Sequence, residues 1–258
     1  MFKKKLLKTE EEIFLIKKSA ELTSKTFGII SKELKPGING IYLNNLAEEF
    51  IYDNGGKPAF LGLNNFKYSL CISPNNKVVH CVPDKTYFKE GDLISIDCGV
   101  IMNDFYSDQA YTFFLGDDPK INKFIQIVKN SLYIGISNCK NGNKIGDIGF
   151  FIQNYIESKG YSIVKEFVGH GIGRKIHEEP MIPNYGKKNT GETLKNGMVL
   201  AIEPIVNIGK SDINIYSDGY TVTTKDNKIS AHFENTICIV NGNPKILSTC
   251  KYIDKKFI

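Results

Sequence analysis

No apolar run in the chain approaches the roughly 20 residues of a membrane span. The start, Met1 to Lys8, lacks the long apolar stretch and small-residue cleavage site of a signal peptide, so the expectation is a cytoplasmic protein. The six cysteines (Cys71, Cys81, Cys98, Cys139, Cys238 and Cys250) include no CxxC pair and no short regular spacing, which argues against a zinc ribbon or a disulfide framework and leaves free thiols. Arginine is nearly missing: among 33 basic residues only Arg174 is not lysine, which reads as compositional drift. The lysines are scattered and not interleaved with aromatics, so a formal charge of +5 does not point to nucleic acid and no DNA partner is expected. What is present is ordinary: 258 residues, 41% hydrophobic and 24% charged, the proportions of a globular chain with a sizeable core.

An internal repeat organises the chain. Thr9-Glu10-Glu11-Glu12 is a capping-box signature, and Ile13, Ile16, Ala20, Phe27, Ile30 and Leu34 follow at helical spacing until Lys35-Pro36-Gly37. A second helix is predicted around Leu43, Ala47, Phe50 and Ile51, stopped by Asn54-Gly55-Gly56. The pattern recurs from Pro119 to about Asn138 and again through Ile148, Ile152, Tyr155 and Ile156 before Gly160, an offset of 105 residues. At an offset of 106, Lys89 to Asp97 lines up with Lys195 to Glu203, two strands that each end in a carboxylate. Two similar halves, roughly 1–115 and 116–258, are expected to face each other within a single domain, since no Pro-, Gly- or Ser-rich linker separates them.

The acids at those strand ends invite chemistry. Alternation places Asp97 on the face opposite Ile94 and Ile96, and a hairpin turn centred on Met102-Asn103 would set Asp97 across from Asp108. Two carboxylates held that close share a proton or hold a cation; alone, the pair could also be two solvated acids. Glu203 closes an apolar strand before Pro204, and a single strand through Ile229–Ile237 would put Ser230, His232, Glu234 and Thr236 on one face. Each is an ordinary edge-strand acid by itself, but the repeat would bring them to one centre. Glycines flank His170 in Gly169-His170-Gly171, letting the backbone approach closely; a phosphate-binding turn is the rival reading, without the usual strand, GxGxxG and helix order. His80 could be a satisfied core histidine. Four carboxylates and an imidazole would be balanced by two divalent cations, which lower the pKa of a water between them and polarise a carbonyl, the equipment of a metallohydrolase.

In order along the chain, VVHCVPD, SIDCGVIMNDFYSDQAYTF, EFVGHGIGRKIHEEP, LKNGMVLAIEPIVN and AHFENT resemble the type I methionine aminopeptidases of peptidase family M24, and the resemblance runs from the first helix to about Leu247. It implies an α+β pita-bread fold, a curved antiparallel sheet with flanking helices. It implies two divalent ions (Co, Mn, Fe, Ni or Zn), with Asp97 on one, Asp108 and Glu234 bridging both, and His170 and Glu203 completing the second. Glu203 would carry the proton, His177 would contact the scissile peptide and His80 the substrate amine or amide. Phe60, Leu63, Phe66, Cys71, Ile176 and Tyr220 align with the methionine pocket, and Asn75 and Ser230 resemble positions of a monovalent-cation site; His232, on the Glu234 face, could hydrogen-bond a ligand carboxylate or serve a surface or core role. The implied activity is removal of the initiator methionine from nascent chains when the second residue is small, by a monomer in transient contact with the ribosome. Cys81 stands where the family usually has Gly and is expected to crowd the entrance or shift His80. The alternatives are an X-Pro peptidase of the same fold, whose members usually carry a preceding domain, and an inactive binding module.

Overall fold

The computed structural model describes residues 6–257. Among these, the long helices are α1 (Glu10–Glu33), α2 (Gly40–Asp53), α3 (Pro119–Ser137) and α4 (Ile145–Ser158). The strands are β1 (Lys57–Pro58), β2 (Cys71–Pro74), β3 (Leu93–Met102), β4 (Phe105–Phe114), β5 (Ser162–Ile163), β6 (Gly169–Gly171) and β7 (Glu178–Ile182). They continue with β8 (Val199–Ile202), β9 (Ile205–Asn207), β10 (Ile213–Ile215), β11 (Val222–Thr224), β12 (Ser230–His232), β13 (Glu234–Val240) and β14 (Asn243–Ile246).

The capping box that starts α1 is present: Thr9 Oγ1 accepts the Glu12 N–H at 3.2 Å and a Glu12 carboxylate oxygen accepts the Thr9 N–H at 2.8 Å. Asp118 caps α3 at 2.7 Å from the Lys120 nitrogen, with Pro119 in the first turn, where a missing N–H costs nothing. The helices lie behind an antiparallel sheet of order β1-β3-β4-β13-β8-β6-β7, with β2 on β3 and β14 on β13. Phe27, Ile30, Phe124, Ile148 and Ile152 from the helices meet Ile96, Phe113, Ile202 and Ile237 from the sheet, all essentially without exposure. Each fully buried side chain of this size contributes about 1.5–3 kcal/mol.

Bonds in the first part of the chain recur 105–106 residues on. Gly37 N–H donates to Phe88 O and Gly142 N–H to Leu194 O, both at 2.9 Å, while Phe88 N–H donates to Ile38 O and Leu194 N–H to Asn143 O. The isolated bridges Asn39 to Tyr87 and Lys144 to Thr193 repeat in the same way. Gly37 and Gly142, at φ +88° and +96°, occupy the left-handed conformation that glycine adopts without strain.

Two expected strand arrangements are corrected. The β3–β4 turn is Asn103-Asp104 rather than Met102-Asn103, so Asp97 pairs with Ala110, and Asp108 with Gly99. Both turn residues have positive φ, 52° and 61°, which Asn and Asp tolerate far better than Met. The segment 229–237 is also not one strand. It breaks at Phe233: β12 pairs with β9 in a three-stranded sheet, and β13 joins the main sheet. No helix is long and apolar enough to cross a membrane among the described residues.

Candidate metal centre

Register alone places the acids on one face. Asp97 on β3 and Glu234 on β13 both pair with Ala110 of β4, so the three form a row across the sheet with the small alanine between two carboxylates. Asp108 lies two residues from Ala110 and therefore on the same face. On the other side His170 pairs with Ala201 of β8, which pairs with Thr236, two residues beyond Glu234; Glu203 follows β8 directly. Close packing around His170 explains its flanking glycines. A Cβ at Gly171 would overlap the Glu179 carbonyl oxygen and one at Gly169 the Ala201 carbonyl oxygen.

Despite the corrected register, the Asp97 and Asp108 carboxyl groups are near enough to shift each other's pKa. Burial raises the Asp97 pKa to about 7. Burial first, then the charges of Glu234 and Asp97, push Asp108 well above the usual carboxylate range. Glu203 is raised by burial and by Asp97 and Asp108, and Glu234 by burial and by Glu203 and Asp97. Each of the four acids is thus biased toward its protonated form unless something positive offsets the charge. His170 Nδ1 sits 3.0 Å from Gly171 O, which leaves Nε2 directed at Glu203 Oε1, 3.5 Å away. Burial, then His177, lowers the His170 pKa to about 4, so the ring is neutral and its lone pair available.

Ligand atoms of Asp108, His170 and Glu234 lie within 4.8 Å of one another. Asp97 Oδ1, Glu234 Oε1 and His232 Nε2 are buried without a hydrogen-bond partner among the described residues. Unpaired buried oxygens beside a neutral imidazole suit a hard or borderline divalent cation. The residues fit a metal.

The site opens into a cavity of about 1130 Å³ walled by Asp97, His170, Glu203, His232, His80 and His177, among others. His177 packs edge-on to His170 at 4.6 Å, and His80 edge-on to Phe167 at 5.0 Å. Phe60, Leu63, Phe66, Cys71, Ile176 and Tyr220 come together in one apolar cluster beside the centre, with Cys71 paired to Asp97 and Tyr220 edge-on to Phe66; none of the six lines the large cavity. Cys81 is fully buried, its thiol directed at the Val79 and Val222 carbonyls, so the expected crowding of the entrance does not occur. Ser230 donates its N–H to Asn75 O at 2.9 Å, and nearby Asn207 keeps an unpartnered Oδ1 among the described residues.

Sequence reasoning missed two supports. Thr236 Oγ1 accepts the Asp108 N–H at 2.9 Å and donates to Asp108 O at 2.7 Å. Lys8 Nζ donates to Glu178 Oε2 at 2.7 Å, while Glu178 Oε1 accepts the N–H groups of Arg174 and Lys175, pinning the turn that carries Ile176 and His177. Arg174 itself pairs with Glu12. Partners 128 and 170 residues apart leave no local signal.

Comparison with known proteins decides the family. The model of metallopeptidase family M24 matches residues 15–241. The chain belongs to that family. Within M24 it is 45% identical over 247 residues to the methionine aminopeptidase of Clostridium perfringens, covering 95% of this chain and 99% of that one. The crystal structure of methionine aminopeptidase from Rickettsia prowazekii superposes with a TM-score of 0.93 at 37% identity, over 94% of this chain and 99% of that one. The prolidase of Pyrococcus furiosus gives 0.79 at 25% identity, over 96% of this M24 chain and 66% of that one. The curved antiparallel sheet with flanking helices is thus the pita-bread fold.

Proposed function

We propose that the protein is a metal-dependent methionyl aminopeptidase that removes the initiator methionine from nascent chains when the second residue is small. The observation that carries this reading is end-to-end similarity to methionine aminopeptidases, 95% of this chain against 99% of the Clostridium perfringens enzyme. The reading places it in the cytoplasm as a monomer meeting the ribosome transiently. It treats the chain as one catalytic unit of two halves, about 1–115 and 116–258, which the recurring bonds support.

Asp97, Asp108, Glu234, His170 and Glu203 would hold two divalent ions, Asp108 and Glu234 shared between them, because four carboxylates call for about four positive charges. Such ions acidify a water and polarise the scissile carbonyl. A monovalent cation near Asn75 and Ser230 would give the unpartnered Asn207 Oδ1 a partner. Glu203, at the edge of the cavity, would take the proton from the attacking water and return it to the departing amine. His177 would donate to the scissile carbonyl, and His80 would stand by the amine. The apolar cluster from Phe60 to Tyr220 would take the thioether.

Hydrolysis of Met-Ala-Ser by metal-stripped protein, with and without Mn or Co, tests the reading. Metal-dependent release of methionine, with an X-Pro peptide left intact, is the expected result. Folded protein that cleaves only the X-Pro peptide, or neither, overturns it.

A further inference from the structure

We propose that His232 is a positioning residue for Glu203, donating a hydrogen bond from Nε2–H to one carboxylate oxygen and so reserving the other for the metal side of the site. This inference rests on the metallopeptidase reading and adds a residue to it. His232 is 2% exposed, lines the main cavity, and has no hydrogen-bond partner for Nε2 among the described residues. A buried ring nitrogen without a partner is unfavourable, and in the Nε2–H tautomer it requires an acceptor. Among the described residues two acids stand within 4.0 Å of it: Glu203 Oε2 at 3.9 Å and Glu234 Oε2 at 4.0 Å.

The two acids differ in what else they must do. Glu234 groups with Asp108 and His170 as a candidate metal ligand and keeps Oε1 without a partner among the described residues, so its carboxylate would be given over to metal. Glu203 has Oε1 directed at His170 Nε2, 3.5 Å away, and Oε2 directed at His232, so one imidazole faces each oxygen. Glu203 follows the end of β8 and its carbonyl is tied to Asn184 Nδ2 at 3.0 Å, which leaves the carboxyl group to rotate the short distance into hydrogen-bond range. His232 cannot yield in the same way. Its N–H donates to Ser95 Oγ at 3.2 Å and Thr112 Oγ1 at 3.0 Å, and its carbonyl accepts from Thr112 at 2.7 Å. The break at Phe233 that separates β12 from β13 therefore has a use: it frees the His232 backbone for these hydroxyls and aims its ring at Glu203. A carboxylate that ferries protons works best from a fixed orientation, and partners of this kind are worth about 10–100-fold in metal affinity or activity.

The test uses His232→Phe, which keeps a ring and removes the donor, and His232→Gln, whose side-chain N–H can reach the same oxygen. Mn affinity of the stripped proteins is read by calorimetry, and kcat and KM with Met-Ala-Ser. His232→Phe should lose about 10–100-fold in Mn affinity or kcat with KM within about twofold, and His232→Gln should recover most of the loss. His232→Phe equal to wild type in both, or His232→Gln equally impaired while melting at the wild-type temperature, overturns the proposal. Should His232→Phe not fold, imidazole nitrogen NMR of zinc-loaded wild-type protein decides: an Nε2–H tautomer at His232 is expected, and an Nδ1–H tautomer overturns it. Wild-type protein without metal-dependent methionine release would instead sink the functional reading.

Discussion

Asp108 shows how burial and chemistry are linked at one residue. It is 3% exposed, and burial, then the charges of Glu234 and Asp97, push its pKa well above the usual carboxylate range, which favours the neutral form while no metal is bound. Asp108→Asn keeps the shape of a group whose surroundings already disfavour its charge. It should leave the melting temperature of metal-free protein nearly unchanged while weakening Mn binding at least about 10-fold and abolishing methionine release. Near-normal turnover would remove Asp108 from the metal. His177 contrasts with it, since it faces the cavity and packs edge-on to the ring of His170. His177→Ala should lower kcat/KM about 100-fold or more, as loss of an acid-base or hydrogen-bonding group does, with metal content by elemental analysis unchanged. Loss of metal would show that the ring supports His170 rather than substrate. Every residue in this paragraph was legible in the sequence, because motif spacing fixes identity. Their hydrogen-bond partners were not, since those come from segments more than 100 residues away.

At the scale of elements, the junction of β4 and β13 is the critical seam. Paired residues there are Glu234 with Ala110 and Asn235 with Gln109; beyond them the Thr236 hydroxyl, not backbone, bonds both polar groups of Asp108. Ser248 Oγ in turn accepts the Thr236 N–H at 3.0 Å and the Asn235 Nδ2–H at 2.9 Å. Thr236→Val keeps the shape but orphans a buried N–H and a buried carbonyl, so it should cost about 2–4 kcal/mol in denaturant melts, with Thr236→Ser retaining most of the stability. A Val variant as stable as wild type would mean that the strands close up and pair directly. The helices, their caps and the repeat could all be read in advance, because periodicity and capping are local. The β3–β4 register was also legible in principle: Asn103-Asp104 are the two adjacent residues best suited to positive φ. The end of β12 at Phe233 was not, because alternation continues straight through it.

For the whole molecule, the centre sets how stability depends on pH. Asp97, Asp108, Glu203 and Glu234 have folded pKa values above their unfolded values, so the folded metal-free state holds more protons near neutrality. Their contribution is complete below the unfolded carboxylate range and is lost as pH rises through the folded values, about 7 for Asp97. His170 and His232, lowered to about 4 and about 3, act in the opposite sense, but only below the unfolded histidine value. Between about pH 6.5 and 7.8, above the histidine range and below the thiol range, the carboxylates dominate. Metal-stripped protein should therefore melt at a lower temperature at the upper end of that window, and added Mn should raise the melting temperature more there, with protons released on binding. A flat or rising profile in stripped protein would show that the acids are ionised and hydrated. The C-terminal segment ties back onto the N-terminal half, since Asp254 N–H donates to Ser31 Oγ on α1 and Tyr111 on β4 donates to Phe257 O.

Composition, the 105-residue repeat, the helix limits and the identity of the acids and histidines followed from the amino-acid order alone, because each depends on neighbours a few residues away or on motifs with their own spacing. Tertiary structure decided the rest. Ala110 became the gap between Asp97 and Glu234, Thr236 the clamp on Asp108, Lys8 the anchor of the His177 turn, and His232 the partner facing Glu203. Each of these pairings joins residues far apart in the chain. Which donor meets which acceptor depends on strand register and on where the backbone must be satisfied, and those are settled only when the sheet closes over its core.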